Sequence, residues 1–267
     1  MTSALEGQWA LILGASSGFG AATSKALAKE GLHIFGVHLD RKTTMPVVEQ
    51  TIRDIQATGR KAVFFNANAA DPQKRADIIA AMQQELSASQ PRRHVKVLLH
   101  SLAFGSLKPY VSADDNVVSQ DQMEMTLNVM ANSLVYWVHD VVQAGVMGEG
   151  GRVFAMTSSG GTRVWPFYGP VSAAKAALES HIRQLALELA PFKVTANAIR
   201  AGVTDTPALR KIPGNEQMME FSRLRNPHKR LTTPDDVAAA IALLSDPRAQ
   251  WITGNTIGVD GGEDIVG

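Results

Sequence analysis

Cysteine is absent from the 267 residues, which excludes disulfides, thiolate metal sites and cysteine nucleophiles. An excess of either charge is missing too. Lys and Arg number 26 against 25 Asp and Glu, a net charge of +1. That balance offers no bulk field to nucleic acid or to an anionic membrane, so neither is expected as a partner. No apolar run approaches the roughly 20 residues of a spanning helix, and residues 1–7 lack a basic-then-apolar leader pattern. Repeats, low-complexity tracts and linkers are not found, and no residue set reads as a metal site. What remains is 45% hydrophobic, the composition of one globular domain with a cytoplasmic setting as the expectation.

Strand and helix alternate along the chain. Short apolar runs at 9–13, 32–39, 61–65, 95–99, 152–156, 194–199 and 256–259 read as strands. Helices are expected over 21–29, 46–57, 72–86, 122–142 and 167–189. Gly31, Gly59 and Pro191 act as stops, and Asp71-Pro72 opens the third helix as N-cap and first-turn proline. Strands apolar on both faces, alternating with helices, predict a Rossmann-type α/β fold. Its doubly wound, parallel, seven-stranded sheet would have right-handed crossovers, in a single domain over 1–267. The irregular stretch 206–233 holds Pro207, Pro213, Gly214 and Pro227. It is too long for a spacer and is expected to be a helical, substrate-binding lid.

Gly14-Ala15-Ser16-Ser17-Gly18-Phe19-Gly20 lies between the first strand and the first helix. The chain must reverse there, and backbone must approach a pyrophosphate; side chains larger than hydrogen obstruct both. The helix N-terminus adds free N–H groups and partial positive charge. Gly14, Ser16, Ser17, Gly18, Phe19 and Gly20 are therefore candidate phosphate-cradling residues. The spacing is Gly-x3-Gly-x-Gly, not the Gly-x-Gly-x2-Gly fingerprint, and a plain tight turn is the alternative.

This turn resembles that of the short-chain dehydrogenase/reductase family, and the resemblance covers nearly the whole chain. Leu13 departs from the Thr that commonly precedes the first glycine there. The resemblance implies a nicotinamide dinucleotide. The family's discriminating position, 24 residues after the first turn glycine, is His38 here and is not acidic. His38, Arg41 and Lys42 suit a 2′-phosphate clamp, which favours NADP(H); Asp40 beside them keeps NAD(H) open. Asn68, followed by Ala69, matches the adenine-contacting position, a structural turn residue being the other reading. The segment Ala201-Gly202-Val203-Thr204-Asp205-Thr206 matches the one that closes over the cofactor, with Ala201 replacing the usual Pro.

Tyr168 and Lys175 stand seven apart, about two helical turns. A buried phenol beside an ammonium is a tunable acid, the cation favouring the phenolate, and the ammonium offers three donors to ribose hydroxyls. Most of the family places Tyr four residues before Lys, a slot that holds Val171 here. The Tyr-x6-Lys spacing instead resembles the enoyl-acyl-carrier-protein reductases. So does His100-Ser101-Leu102-Ala103-Phe104 after the fourth strand, which places Ser101, Leu102 and Ala103 by the cofactor. Ser158 and the stretch 197–211 resemble a divergent branch of those reductases. The resemblance implies conjugate reduction, with Tyr168 and Ser158 serving the thioester oxygen and Lys175 the ribose. Asn128 matches the helix Asn that holds a relay water, and a helix-kink residue is the reading without the family. Phe104, Trp165, Tyr168 and Leu209 are candidate substrate-binding residues, with Tyr110 and Phe167 near the mouth.

An acyl thioester is the implied substrate. Arg210, Lys211, Arg223, Arg225, Lys229 and Arg230 make the lid basic, which suits an acidic carrier protein, and a solvated charged face is the alternative. The family implies a homotetramer, and Val259-Asp260-Gly261-Gly262 resembles the end of its last strand. Two other functions stay open: a carbonyl or hydroxysteroid-type dehydrogenase with an aberrant Tyr, and a dinucleotide-binding regulator without turnover.

Overall fold

A computed structural model describes residues 5–89 and 93–266. Residues 1–4, within the stretch 1–7 read for a leader pattern, and residue 267, at the end of the expected single-domain span, lie outside it. The strands are β1 (Trp9–Leu13), β2 (His33–His38), β3 (Ala62–Asn66), β4 (Val95–His100), β5 (Met147–Ser158), β6 (Thr195–Ala201) and β7 (Thr256–Val259). All pair in parallel, in the order β3-β2-β1-β4-β5-β6-β7. The order reverses between β1 and β4, and the crevice at the carboxyl ends of these strands is where such sheets bind ligands.

Alternation along β1 shows why both faces are covered. Trp9, Leu11 and Leu13 pack on one side with Leu134, Trp137 and Leu178. Ala10 and Ile12 pack on the other with Leu27, Val237 and Ile241. The covering helices are α1 (Gly18–Lys29), α2 (Met45–Gln56), α3 (Pro72–Ser87), α4 (Gln120–Leu127), α5 (Ser133–Gln143), α6 (Gly169–Glu188), α7 (Asn215–Arg225) and α8 (Pro234–Leu244). As expected, Asp71 caps α3, accepting from the Gln73 and Lys74 N–H groups at 2.8 and 3.0 Å.

Three elements differ from the sequence reading. The single helix expected over 122–142 is α4 and α5 joined by a π-helical turn, Asn128–Asn132. The helix expected from 167 starts at Gly169, because Phe167 has φ +65°, outside helical space for a bulky residue. No helix was expected at α8, whereas 206–233, expected to be helical, does hold α7, which starts after Gly214 at φ +75°.

The cross-sheet anchor on one face is Trp137. It is fully buried, and its Nε1–H donates to the Ala69 carbonyl at 2.8 Å. Trp137→Phe keeps the ring packing and orphans that carbonyl, so urea denaturation is expected to show a loss of about 1–3 kcal/mol. An unchanged midpoint would mean that water satisfies the carbonyl.

Candidate active site

The turn after β1 is as tight as its glycines require. Gly14 has φ +90°, and a Cβ on it would stand 2.3 Å from the Ser101 carbonyl oxygen. A Cβ on Gly20 would stand 2.0 Å from the Gly14 oxygen. The strands lock this geometry, with Gly14 N–H donating to Val37 O and Ser101 N–H to Leu13 O, each at 2.8 Å. Ser17 is the N-cap of α1 but makes no side-chain cap bond, and the first turn holds no acid. The opening N–H groups thus face a cradle that no side chain fills, the arrangement a pyrophosphate needs. Gly18 faces Thr206 across it, where a Cβ would meet Thr206 Cγ2 at 3.5 Å.

The end meant for adenosine departs from the sequence reading. His38 is buried, and its Nδ1 is spent on Asp40 Oδ2 at 3.0 Å. That ring nitrogen therefore supports Asp40 and is not free for a phosphate clamp. Burial opposes ionisation of Asp40, but hydrogen bonds from Thr44, Ser16 and His38 outweigh it and hold the carboxyl below its ordinary range. Arg41 and Lys42 are exposed. Asn68 spends its side chain on the Ala70 N–H at 3.0 Å, and Ala69 is buried with its carbonyl on Trp137. Both therefore serve the turn in the free chain.

Beyond the turn lies a cavity of about 940 Å³. Phe19 and the loop from Ser101 to Phe104 form one wall; Ala201, Gly202, Val203, Thr204 and Thr206 form another. Ser158, Tyr168 and Lys175 stand between them, and Trp165 and Leu209 line the lid side with Ile212, Met218 and Phe221. The structure thus brings together the predicted chemical centre, the closing segment and the four predicted substrate residues.

Tyr168 is the N-cap residue of α6 rather than part of its first turn. Its ring lies on Gly160, where a Cβ would approach Tyr168 Cε1 to 2.5 Å. Sequence reasoning missed Gly160; a glycine two residues past the candidate Ser was the available signal. Burial raises the phenol's pKa, and a hydrogen bond with Ser158 only partly offsets it. The expected influence of a neighbouring cation does not govern the phenol, whose shift comes from burial and Ser158, and Lys175 is turned to a carbonyl. Its Nζ donates to Met156 O at 2.8 Å. Burial lowers Lys175 to about 8, partly opposed by Glu179.

Behind the site, His100 is buried and held neutral, its pKa pushed down to about 3 chiefly by burial and next by Lys175. Its Nε2 meets Ser133 Oγ at 2.9 Å, and that hydroxyl donates to Val129 O at 2.8 Å. Asn128 does not line the cavity; it opens the π-helical turn, so the helix-kink reading describes the free chain. The lid's cations are largely paired: Arg210 with Asp205, Arg223 with Glu220, Arg230 with Asp236 and Arg225 with Glu263. The basic field expected there is correspondingly reduced. Among the described residues, no helix is long and apolar enough to cross a membrane.

Residues 14–263 match the family model described as enoyl-(acyl carrier protein) reductase. The chain is 27% identical to 1-cyclohexenylcarbonyl-CoA reductase of Streptomyces collinus, over 97% of this chain and 88% of that protein. It is 26% identical to versicolorin reductase 1 of Aspergillus parasiticus, over 97% of each. A short-chain dehydrogenase from Burkholderia cenocepacia, solved in complex with NADP, superposes with a TM-score of 0.81 at 28% identity, over 97% of this chain and 99% of that one.

Burial of Lys175 has a measurable consequence. The folded chain holds this proton less tightly than the unfolded chain, so burying the ammonium costs most below about pH 8. That cost fades as pH rises through 8 toward the ordinary lysine value. Lys175→Met is therefore expected to melt higher than the cofactor-free parent at pH 7, with the gap closing by pH 10. A gap independent of pH would show that the lysine is not desolvated in the fold.

Proposed function

The chain belongs to the short-chain dehydrogenase/reductase family, as an oxidoreductase served by a nicotinamide dinucleotide, and on that premise we propose that it reduces the α,β double bond of enoyl thioesters. One observation carries the reading. Among the described residues, the only phenol beside Ser158 and Lys175 in the cavity is Tyr168, seven residues before the lysine. The slot four before the lysine holds Val171, a buried core residue. A phenol moved nearly a turn earlier suits an oxygen three bonds from the carbon that accepts the hydride, two more than in a ketone, as in a conjugated thioester.

The cofactor, when bound, supplies the hydride equivalent that reduces the β-carbon. Negative charge then collects on the thioester oxygen. Tyr168, kept protonated by burial, donates a hydrogen bond to that oxygen, and the Ser158 hydroxyl supports the phenol. Donors aimed at charge that appears only in the transition state are worth about 3 kcal/mol each. The α-carbon takes its proton from Tyr168 or water. Lys175, charged below about pH 8, holds the ribose and adds positive potential. Leu209, Ile212, Met218 and Phe221 provide apolar walls for an acyl chain, with methionine adapting to its shape. The thioester is proposed to arrive on a carrier protein drawn to the unpaired lid cations.

Carbonyl reduction is the second reading. The Ser158–Tyr168 hydrogen bond favours it, because the pair serves a ketone oxygen equally well. Crotonyl and acetoacetyl thioesters, each offered with reduced cofactor and followed by absorbance, separate the two. Turnover of crotonyl thioester is expected, and turnover of acetoacetyl thioester alone would overturn the assignment. Tyr168→Phe is expected to lower kcat about 10²–10³-fold with cofactor binding intact. That result would also exclude a regulator without turnover.

The sequence favours NADP(H), but the geometry favours NAD(H), and the proposal follows the geometry. A 2′-phosphate would meet the Asp40 carboxylate where it lies within reach of Ser16 in the cradle, with His38 already engaged. A ribose diol would meet an acceptor. NADH is expected to bind more tightly than NADPH in fluorescence titrations. Asp40→Ser is expected to narrow the gap about tenfold or more, the worth of a charged hydrogen bond. Tighter NADPH binding by the parent would return the preference to Arg41 and Lys42.

A further inference from the structure

Glu263 lies in a short helical turn after β7 and is 3% exposed. Its two oxygens serve different walls of the cleft. Oε2 accepts from the Val203 N–H at 3.2 Å, in the segment that closes the cleft after β6. Oε1 faces Arg225 Nη2 at 3.7 Å, at the last residue of α7. The approach depends on Gly202, where a Cβ would stand 3.0 Å from Oε2 and 2.3 Å from Thr232 Oγ1. Arg225 Nε has no hydrogen-bond partner among the described residues, which leaves Glu263 as the acid that anchors this guanidinium.

The next residue ties down the turn itself. Asp264 pairs with Arg163, in the loop after Ser158, at 3.0 Å and with Arg200 of β6 at 3.2 Å. The Asp260 carboxylate accepts from the Gly262 and Asp264 N–H groups at 3.0 and 3.1 Å. Asn226, just past α7, donates from Nδ2 to the Asp260 carbonyl at 2.9 Å. The turn is therefore a fixed post, and Glu263 is the side chain that joins this post to both the closing segment and the lid.

A buried carboxylate is costly unless its partners stay in place, and losing one partner leaves the other charge uncompensated. We propose that Glu263 is a positioning residue that couples the closing segment 201–206 to the lid helix α7. Dinucleotide binding that orders the segment fixes the Val203 N–H, which fixes the carboxylate, which in turn fixes Arg225 and α7. The lid is thereby set over a loaded cofactor site before substrate arrives. Glu263 touches no reacting atom. Its role rests on the cleft being a dinucleotide site, and not on which bond is reduced.

Amide hydrogen exchange on the full chain, with and without NADH, tests the coupling. In the parent, NADH is expected to slow exchange in peptides covering 14–20, 201–206 and 215–225. Glu263→Gln keeps an acceptor for Val203 but loses the charge facing Arg225. There, protection of 14–20 and 201–206 is expected to persist, while protection of 215–225 falls about tenfold, within the usual range of coupling between sites. Arg225→Met breaks the same link from the lid side and should give the same pattern. Unchanged exchange in β1 and β4 peptides shows that each variant is folded. Equal NADH protection of 215–225 in parent and both variants would overturn the proposal. Absence of protection at 14–20 in the parent would instead remove the dinucleotide reading beneath it.

Discussion

The close approach of two strand ends is the constraint on which the site depends. β1 and β4 are neighbours at the point where the sheet order reverses. Leu13 O accepts from Ser101 N–H, and Gly14 has no side chain because the Ser101 carbonyl occupies the space. That contact fixes the phosphate turn to the loop that forms one cavity wall. Gly20 then holds α1 against the same turn, its Cα hydrogens meeting the Gly14 oxygen where a methyl would collide. The cradle and the reaction cavity are thus one rigid construction. A residue added at either glycine would separate them, whatever it did to the cofactor directly.

Burial, more than charge pairing, sets the chemistry in the cavity. Tyr168 is pushed toward the neutral phenol, Lys175 toward the amine and His100 into the imidazole form. A phenol that stays protonated is a hydrogen-bond donor ready for a developing oxyanion. A lysine near 8 still carries its charge at neutral pH, so a small change in surroundings can move it across its titration. The ammonium is parked on Met156 O in the free chain. It must share or leave that carbonyl to reach a ribose, and the exchange keeps a hydrogen-bond partner at each stage.

Fold and site were not equally legible. The limits of β1 and β7 follow directly from apolar runs closed by Gly14 and Asp260, and the Asp71-Pro72 start of α3 follows from capping chemistry. The lid was expected to be helical, but the bounds of α7 were hidden because it buries only Ser222 and shows no apolar stripe. α8 did have a signal: Thr233-Pro234-Asp235-Asp236 is a capping box with proline in the first turn. The π-helical turn depends on how α5 packs, which local pattern does not encode. Ser158, Tyr168 and Lys175 were singled out through the family resemblance, and the fold gathers them in one cavity. His38 was read by its type as part of a clamp, whereas its place on a buried strand face sets its Nδ1 on Asp40. Glu263 was invisible because a lone acid near a chain end reads as solvated until the fold brings Val203 and Arg225 to it.

The position of Tyr168 follows from a local conflict resolved by its neighbours. Phe167 takes a left-handed backbone conformation that a bulky residue adopts only when its surroundings require it. The requirement comes from both sides. Pro170 fixes the first turn of α6, Tyr110 packs where Gly169 has no side chain, and the Tyr168 ring lies flush on Gly160. Ser172 reinforces this by donating its hydroxyl to the Gly160 carbonyl, tying α6 to the loop after Ser158. A phenol on a regular first turn would rotate with the helix. As the N-cap residue, this one is held by a strained joint on one side and a glycine floor on the other. Its hydroxyl therefore stays beside Ser158 as α6 carries Lys175 away by two turns, which is the separation on which the proposed reduction of a conjugated thioester rests.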